Sequence, residues 1–239
     1  MGWRLELVIE GGFCLVGGGV MEGFKVDGFA VFTKVLEAHE IERLRRECDG
    51  LAEREGKVCV RRVAEKSELV MGLAHAEKMR QFLPADYLLV RSILFDKTAD
   101  SNWPVLWHQD LTIMVRERVA LAGYGPWSQK AGAEHVQPPV EVLQQMLTLR
   151  VHLDPTPAEN GALRVIQGSH RLGKLDPGEV AGHVGRGDEV VCACDAGDVL
   201  MMSPLLLHAS ARSSEVGRRR VLHFEYAHRD ALDEALEWA

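Results

Sequence analysis

His108 and Asp110 stand two residues apart in Trp107-His108-Gln109-Asp110, and His208 follows 100 residues after His108, in Leu207-His208-Ala209-Ser210. Two imidazoles and one carboxylate can occupy one triangular face of a metal ion and leave the opposite face open for ligands and O₂. That is the arrangement of non-haem Fe(II) oxygenases. In a strand, residues i and i+2 project to the same side, so His108 and Asp110 can both reach one ion. His208 must then arrive on a strand distant in the chain. With ten histidines present, H-x-D plus a remote histidine is a weak pattern taken alone. The residues after His208 strengthen it. Ser210 lies two positions on and faces the same way, and Arg219 lies eleven positions on, across a polar turn. A guanidinium there can hold one carboxylate of an organic diacid through two charge-assisted hydrogen bonds, while the other end of the diacid chelates the metal. Ser210 can add a hydroxyl donor to the same carboxylate. Arg218 reads as part of a solvated turn.

Strands must position these groups, and the chain changes its grammar to supply them. Gly28 to Phe32 reads as a short strand. Ile41, Leu44, Cys48 and Leu51 then recur at spacings of three and four, one face of an amphipathic helix. A second helix is expected over Ser67 to Phe82, stopping at Pro84. From there strands prevail: Tyr87 to Phe95, Met146 to Leu153, Ala162 to Ile166, Val199 to Met202, Leu205 to Ser210 and Arg219 to Tyr226. The clearest is Met146 to Leu153, with Leu147, Leu149, Val151 and Leu153 on one face and Thr148, Arg150 and His152 on the other. Asn160-Gly161 and Gly197-Asp198 are turns. Residues 96–104 read as a loop, Gly123 to Pro139 as the longest irregular region, and Asp230 to Ala239 as an acidic helical tail. Short, regularly spaced strands point to a sandwich or barrel: a mainly β domain with flanking helices, a cupin-like jelly roll.

The 239 residues suit a single domain. Residues 21–239 are assigned to it, and residues 1–20 to an extension, disordered or mis-started, with Met21 as an alternative start. That apolar, glycine-rich beginning lacks the basic start and unbroken apolar run of a secretory leader. With 28 basic and 35 acidic residues the formal charge is −7, and Arg218-Arg219-Arg220 is the only dense basic run. A nucleic-acid partner is therefore not expected. No segment approaches the roughly 18 apolar residues of a membrane span. Five cysteines, an odd count, argue for reduced thiols and a cytoplasmic location. Cys192 and Cys194 read as a buried strand pair rather than a zinc site, since no second pair follows.

Trp107 to Asp110, the run Asn160-Gly161-Ala162-Leu163-Arg164-Val165-Ile166-Gln167-Gly168-Ser169-His170, and His208 with Arg219 together resemble the phytanoyl-CoA dioxygenase family. The similarity runs in order from Phe24 to Ala227. It implies a double-stranded β-helix that uses Fe(II), with 2-oxoglutarate and O₂ as cosubstrates, to hydroxylate or otherwise oxidise a C–H bond of a small molecule, releasing succinate and CO₂. By match to the family pattern, His108, Asp110 and His208 are the iron ligands, Arg219 clamps the distal carboxylate of 2-oxoglutarate, and Ser210 lies beside it. Gln109 is placed at the cosubstrate or substrate, Trp127 at the pocket, and Gly161, Gly168 and His170 in structural turns. Gln167 stands where the family commonly has proline. Retention of Asp110 favours hydroxylation over halogenation. Two rivals share the ligand set: a jelly roll that binds metal without turnover, and a cupin-type enzyme that needs no 2-oxoglutarate. One tension is internal to the last strand. Leu222, Phe224 and Tyr226 share a face with Arg220, not Arg219, so alternation alone selects Arg220 as the inward arginine; a bulge would reconcile the two.

Overall fold

The computed structural model describes residues 18–98, 100–214 and 217–239. Along the chain these form α1 (Gly18–Asp27), β1 (Phe29–Phe32), α2 (Ala38–Glu55), β2 (Cys59–Arg61), α3 (Glu68–His75), α4 (Glu77–Arg80), β3 (Tyr87–Lys97), β4 (Val105–His108) and β5 (Ile113–Val115). Then come β6 (Trp127–Lys130), β7 (Ala133–Val136), α5 (Val140–Gln144), β8 (Met146–His152), β9 (Leu163–Ile166), α6 (Val180–Val184), β10 (Glu189–Cys192), β11 (Val199–Met202), β12 (His208–Ser210) and β13 (Arg219–His228). Six strands in the order β1-β11-β8-β13-β3-β2 make the larger sheet, and four in the order β10-β9-β12-β4 make the smaller. Their pairings are antiparallel, and the two sheets form a jelly roll. Early β4 lies beside late β12, which is how residues far apart in the chain meet.

The alternation of β8 sets the layers. Leu147, Leu149 and Val151 join Leu94, Leu222, Phe224 and Tyr226 in a core covered by α2, whose buried face is Ile41, Leu44, Cys48 and Leu51. Thr148, Arg150 and His152 point the other way, into the roll, and are buried there. One part of the roll interior is apolar, where Phe29, Val31, Leu200 and Met202 of the larger sheet meet Leu163, Val165 and Cys192 of the smaller. The rest, lined by β3, β8 and β13, is polar. A third sheet, β5-β7-β6, packs beside the roll over a separate core that includes Ile113, Val136, Leu143 and Leu205.

Several elements differ from expectation. The Ser67–Phe82 helix breaks at Ala76, whose extended backbone ends α3 and starts α4. The break turns Met79 and Phe82 into the core, where Phe82 stacks on Phe32 at 4.1 Å. β3 runs on to Lys97 because its partner Arg219 continues the ladder. The irregular region 123–139 contains the β6–β7 hairpin, closed by Ala131 and Gly132, both at positive φ. That is a two-residue turn of the hairpin type, made without the Asn-Gly signal. Of Leu205 to Ser210 only the last three residues are strand, since Leu206 N–H donates to Ser203 in a turn. The tail is not helical: Leu236 is buried, Trp238 bridges to Val115, and Arg116 N–H donates to the Glu237 carbonyl. The assignment of residues 1–20 to an extension falls mostly outside the described residues, although α1 begins at Gly18. Cys192 and Cys194 are packing residues as expected. Burial pushes both thiols up, Cys192 to about 12, so neither is a thiolate at neutral pH. Among the described residues no helix is long and apolar enough to cross a membrane.

Candidate metal centre

His108 ends β4, His208 begins β12, and the two are direct cross-strand partners. Their rings lie 4.2 Å apart, centre to centre, tilted by 52°. Asp110 lies just past β4, fixed by its N–H donating to the Pro204 carbonyl at 2.9 Å. Its two carboxylate oxygens face the two Nε2 atoms, at 3.7 Å from His108 and 3.6 Å from His208. Those separations exceed a good hydrogen bond. Each imidazole has Nδ1 2.8 Å from the carbonyl two residues upstream, Leu106 or Leu206. A carbonyl only accepts, so Nδ1 carries the proton and the Nε2 lone pair points at the common centre. Metal-ligating histidines are oriented in this way.

The electrostatics agree. Burial alone would raise the Asp110 carboxyl, but His208, His108, His223 and Arg91 together hold it well below the usual carboxylate range. Burial pushes His208 down to about 4 against the pull of Asp110. For His108 burial is outweighed by Asp110, which raises it. At neutral pH the centre therefore offers a carboxylate anion and, at His208, a free imidazole lone pair.

Behind the triad, β13 presents Arg219, Val221, His223 and Glu225 to the roll interior, opposite the face of Leu222, Phe224 and Tyr226. Arg219 is buried, and its guanidinium touches only backbone, the carbonyls of Gly161 and Asn160. It forms no ion pair among the described residues, and burial with nearby Arg150 pushes it down to about 10. Arg220 points to the helices. There it grips both oxygens of Asp154 at 2.8 Å and reaches Asp49 at 2.8 Å. The tension over the last strand dissolves, because the apolar face of β13 is its helix-facing side. Arg218 is not merely solvated: it holds buried Asp96 through two bonds.

Sequence reasoning overlooked Lys97, Arg150 and His223. Lys97, beside Arg219 in the ladder, donates to the Trp103 carbonyl at 2.6 Å and to Ser210 Oγ at 3.3 Å. Burial, then Arg219 and Arg150, push it down to about 7. Arg150 contacts His223 at 3.1 Å and leaves its Nε without a partner. Arg150 was visible as a charge on the polar face of β8; Lys97 lay at the edge of an expected loop. Two expected residues are placed elsewhere. The Gln109 amide donates to the carbonyls of Gly173 and Leu205 and accepts from Leu175 N–H. It therefore clips the metal-bearing segment to two loops, and both of its amide hydrogens are taken. Trp127 lies on β6, stacked by Arg118 at 5.6 Å and packed on the third sheet's core. His170 is structural as expected, with Nε2 3.2 Å from the Lys25 carbonyl.

Burial also dictates a pH response. It lowers His208 and His135 to about 4 and His152 well below its ordinary value. Unfolded, each titrates near 6.5, so between that pH and about 4 the unfolded chain binds more protons than the folded one. Stability must fall with pH through that window. The melting temperature of the metal-free protein is expected to decline steadily from pH 7 to about 4.5; a flat profile there would contradict neutral burial of these rings.

A jelly roll that brings H-x-D and a remote histidine to one point, with unpaired cations behind them, has the fold and donor set of the iron- and 2-oxoglutarate-dependent oxygenases. The family model for phytanoyl-CoA dioxygenase (PhyH) matches residues 24–221, and the chain belongs to that family. Among solved structures it is similar to AviO1 from Streptomyces viridochromogenes Tue57, at 24% identity and a TM-score of 0.66, over 90% of this chain and 96% of that one. It is also similar to SnoK, a non-heme alpha ketoglutarate dependent carbocyclase from nogalamycin biosynthesis, at 18% identity and 0.70, over 90% and 85%. EctD from S. alaskensis, solved with 2-oxoglutarate and 5-hydroxyectoine, matches at 18% identity and 0.70, over 89% and 76%. At these identities the likeness is one of fold. No curated protein matches the chain.

Proposed function

We propose that the chain is an Fe(II)- and 2-oxoglutarate-dependent dioxygenase that hydroxylates, or otherwise oxidises, a C–H bond of a small molecule. The observation that carries the reading is Arg219: a buried guanidinium with no acidic partner among the described residues, on the interior face of a strand that also bears His223 behind the triad. A buried cation without a counter-charge is costly, and a bound dicarboxylate removes that cost. The donor set fits the metal, since two imidazoles and one carboxylate suit Fe(II) and leave positions open. When bound, iron with 2-oxoglutarate supplies the O₂ chemistry, one oxygen atom going to succinate as CO₂ leaves and the other to the substrate. The protein's part is to hold and orient. His108, Asp110 and His208 fix the ion, Arg219 and Ser210 hold the distal carboxylate, and Lys97 and Arg150 add positive charge around it. Gln109 acts through its backbone clips rather than by touching either ligand, and Trp127 supports the neighbouring sheet.

Purified protein with Fe(II), ascorbate and 2-oxoglutarate is expected to form succinate slowly without substrate and faster with it. The measurement is succinate by mass spectrometry, with iron and 2-oxoglutarate omitted in turn. Succinate that appears regardless of iron, or not at all across a broad metabolite panel, leaves the metal-binding rival standing. Substrate oxidation without 2-oxoglutarate selects the cosubstrate-free rival.

A further inference from the structure

A second group of cations gathers between β2, β3 and the third sheet. Arg61 ends β2, paired to Ile93 of β3, and Lys130 ends β6. Together with Arg91, Met114 and His135 they line a small pocket with room for about one water (about 10 Å³), and Lys130 is exposed. Arg91 is committed to Glu225 and to the Thr112 carbonyl, and nearby Arg62 to Glu65. Arg61 and Lys130 form no ion pair among the described residues. His135, on β7, is 1% exposed, and its Nδ1 has no hydrogen-bond partner. A buried imidazole nitrogen left unpaired calls for an explanation. Burial and the surrounding Arg91, Lys130 and Arg61 push His135 down to about 4, so it is a neutral donor at physiological pH.

The pocket adjoins the reactive centre. A ligating oxygen of Asp110 lies within 4.8 Å of the donor atoms of His223 and Glu225, and Glu225 is held by the pocket's own Arg91. It is not the Arg219 site. Glu225 lies six residues from Arg219 on β13, roughly 20 Å along a strand rising about 3.3 Å per residue. No single small diacid spans both ends and also chelates the metal.

We propose that an anionic group of the primary substrate, a carboxylate or a phosphate, binds against Arg61 and Lys130 at the entrance of this pocket and reaches His135 through the water-sized space. The anchored group would hold the rest of the molecule toward the open face of the triad. The proposal rests on the oxygenase reading for its meaning, but its test needs no turnover.

Isothermal titration of the metal-free full chain with hexanoate and hexyl phosphate, with hexan-1-ol as the uncharged control, provides that test. One or both anions should bind about tenfold or more tightly than the alcohol, since charge-assisted hydrogen bonds are at stake. The Arg61→Gln/Lys130→Gln variant should weaken anion binding by about tenfold or more with its melting temperature kept, because neither side chain has an ion pair to lose among the described residues. His135→Gln, which retains a donor, should bind more weakly than wild type but better than His135→Leu. Equal binding of anion and alcohol overturns the inference. So does anion binding that survives in the double variant and disappears in Arg219→Gln. The preferred anion tells carboxylate from phosphate. Failure of the oxygenase reading looks different: anion binding depends on Arg61 and Lys130, yet the wild type never forms succinate.

Discussion

His108→Ala and Asp110→Ala are each expected to abolish iron-dependent succinate formation and to lower metal affinity by at least about 100-fold, since loss of a mere supporting group around a metal already costs 10- to 100-fold. Each variant removes one of three donors whose ligating atoms all lie within 4.8 Å of one another. His108 and His208 are fixed as cross-strand partners, and both rings are locked by backbone carbonyls. Asp110→Asn separates charge from shape. It keeps the volume but removes the anion that balances His208, His108, His223 and Arg91. Titration with Ni(II) or anaerobic Fe(II), followed by the succinate assay, checks all three. A His108→Ala protein that binds metal like the wild type would place the ion elsewhere, with His223 and Glu225 as the next donors to examine.

How much of this site was legible before any coordinates depended on which rule had to be applied. Residue types and spacing offered the triad only as a weak pattern that the family resemblance strengthened; the fold brings the three side chains together, with Asp110 just past the end of β4. The alternation of Met146 to Leu153 was read correctly, residue by residue. What a single strand cannot say is which of its faces is the inside. In this roll the helices cover the apolar face of β8 and β13, and the polar face lines the cavity. The common rule of apolar residues inward therefore selects Arg220, and only the layer arrangement corrects it. The β6–β7 hairpin was missed because Trp127 to Lys130 is largely polar and its turn is Ala131-Gly132. The tail was missed because its amino acids favour helix, while Leu236 and Trp238 are drawn to the third sheet's core. Gln109 illustrates the limit of motif reasoning. The family pattern placed it at the cosubstrate or substrate, yet three backbone groups claim its amide.

The two neighbouring arginines offer the sharpest contrast, because alanine should affect them in opposite ways. Arg219 touches backbone carbonyls only, and burial depresses its protonation. Arg219→Ala therefore removes a desolvated charge that nothing in the described protein neutralises. Apo stability should hold or rise slightly. The cost should appear in cosubstrate binding, where losing a charge-assisted hydrogen bond costs about 1.5–3 kcal/mol, so the 2-oxoglutarate requirement should climb by at least about 10- to 100-fold. Arg220 lies the other way, 11% exposed against an 8% exposed Asp154. Removing it leaves Asp154 with Arg45 at 3.1 Å as its remaining cation. Breaking a buried pair by deleting one partner costs about 3–5 kcal/mol. The surviving Arg45 contact puts Arg220→Ala at the lower end, a melting decrease of about 6–12 °C for a chain of this size. Its 2-oxoglutarate requirement should stay near wild type, because Asp154 and Asp49 pack on the helix side of the sheet. Thermal melts and 2-oxoglutarate titrations on both variants give four numbers. If Arg220→Ala raises the cosubstrate requirement and Arg219→Ala does not, the interior face of β13 has been assigned the wrong way round. The cation shelf of Arg219, Lys97 and Arg150 would then need another occupant.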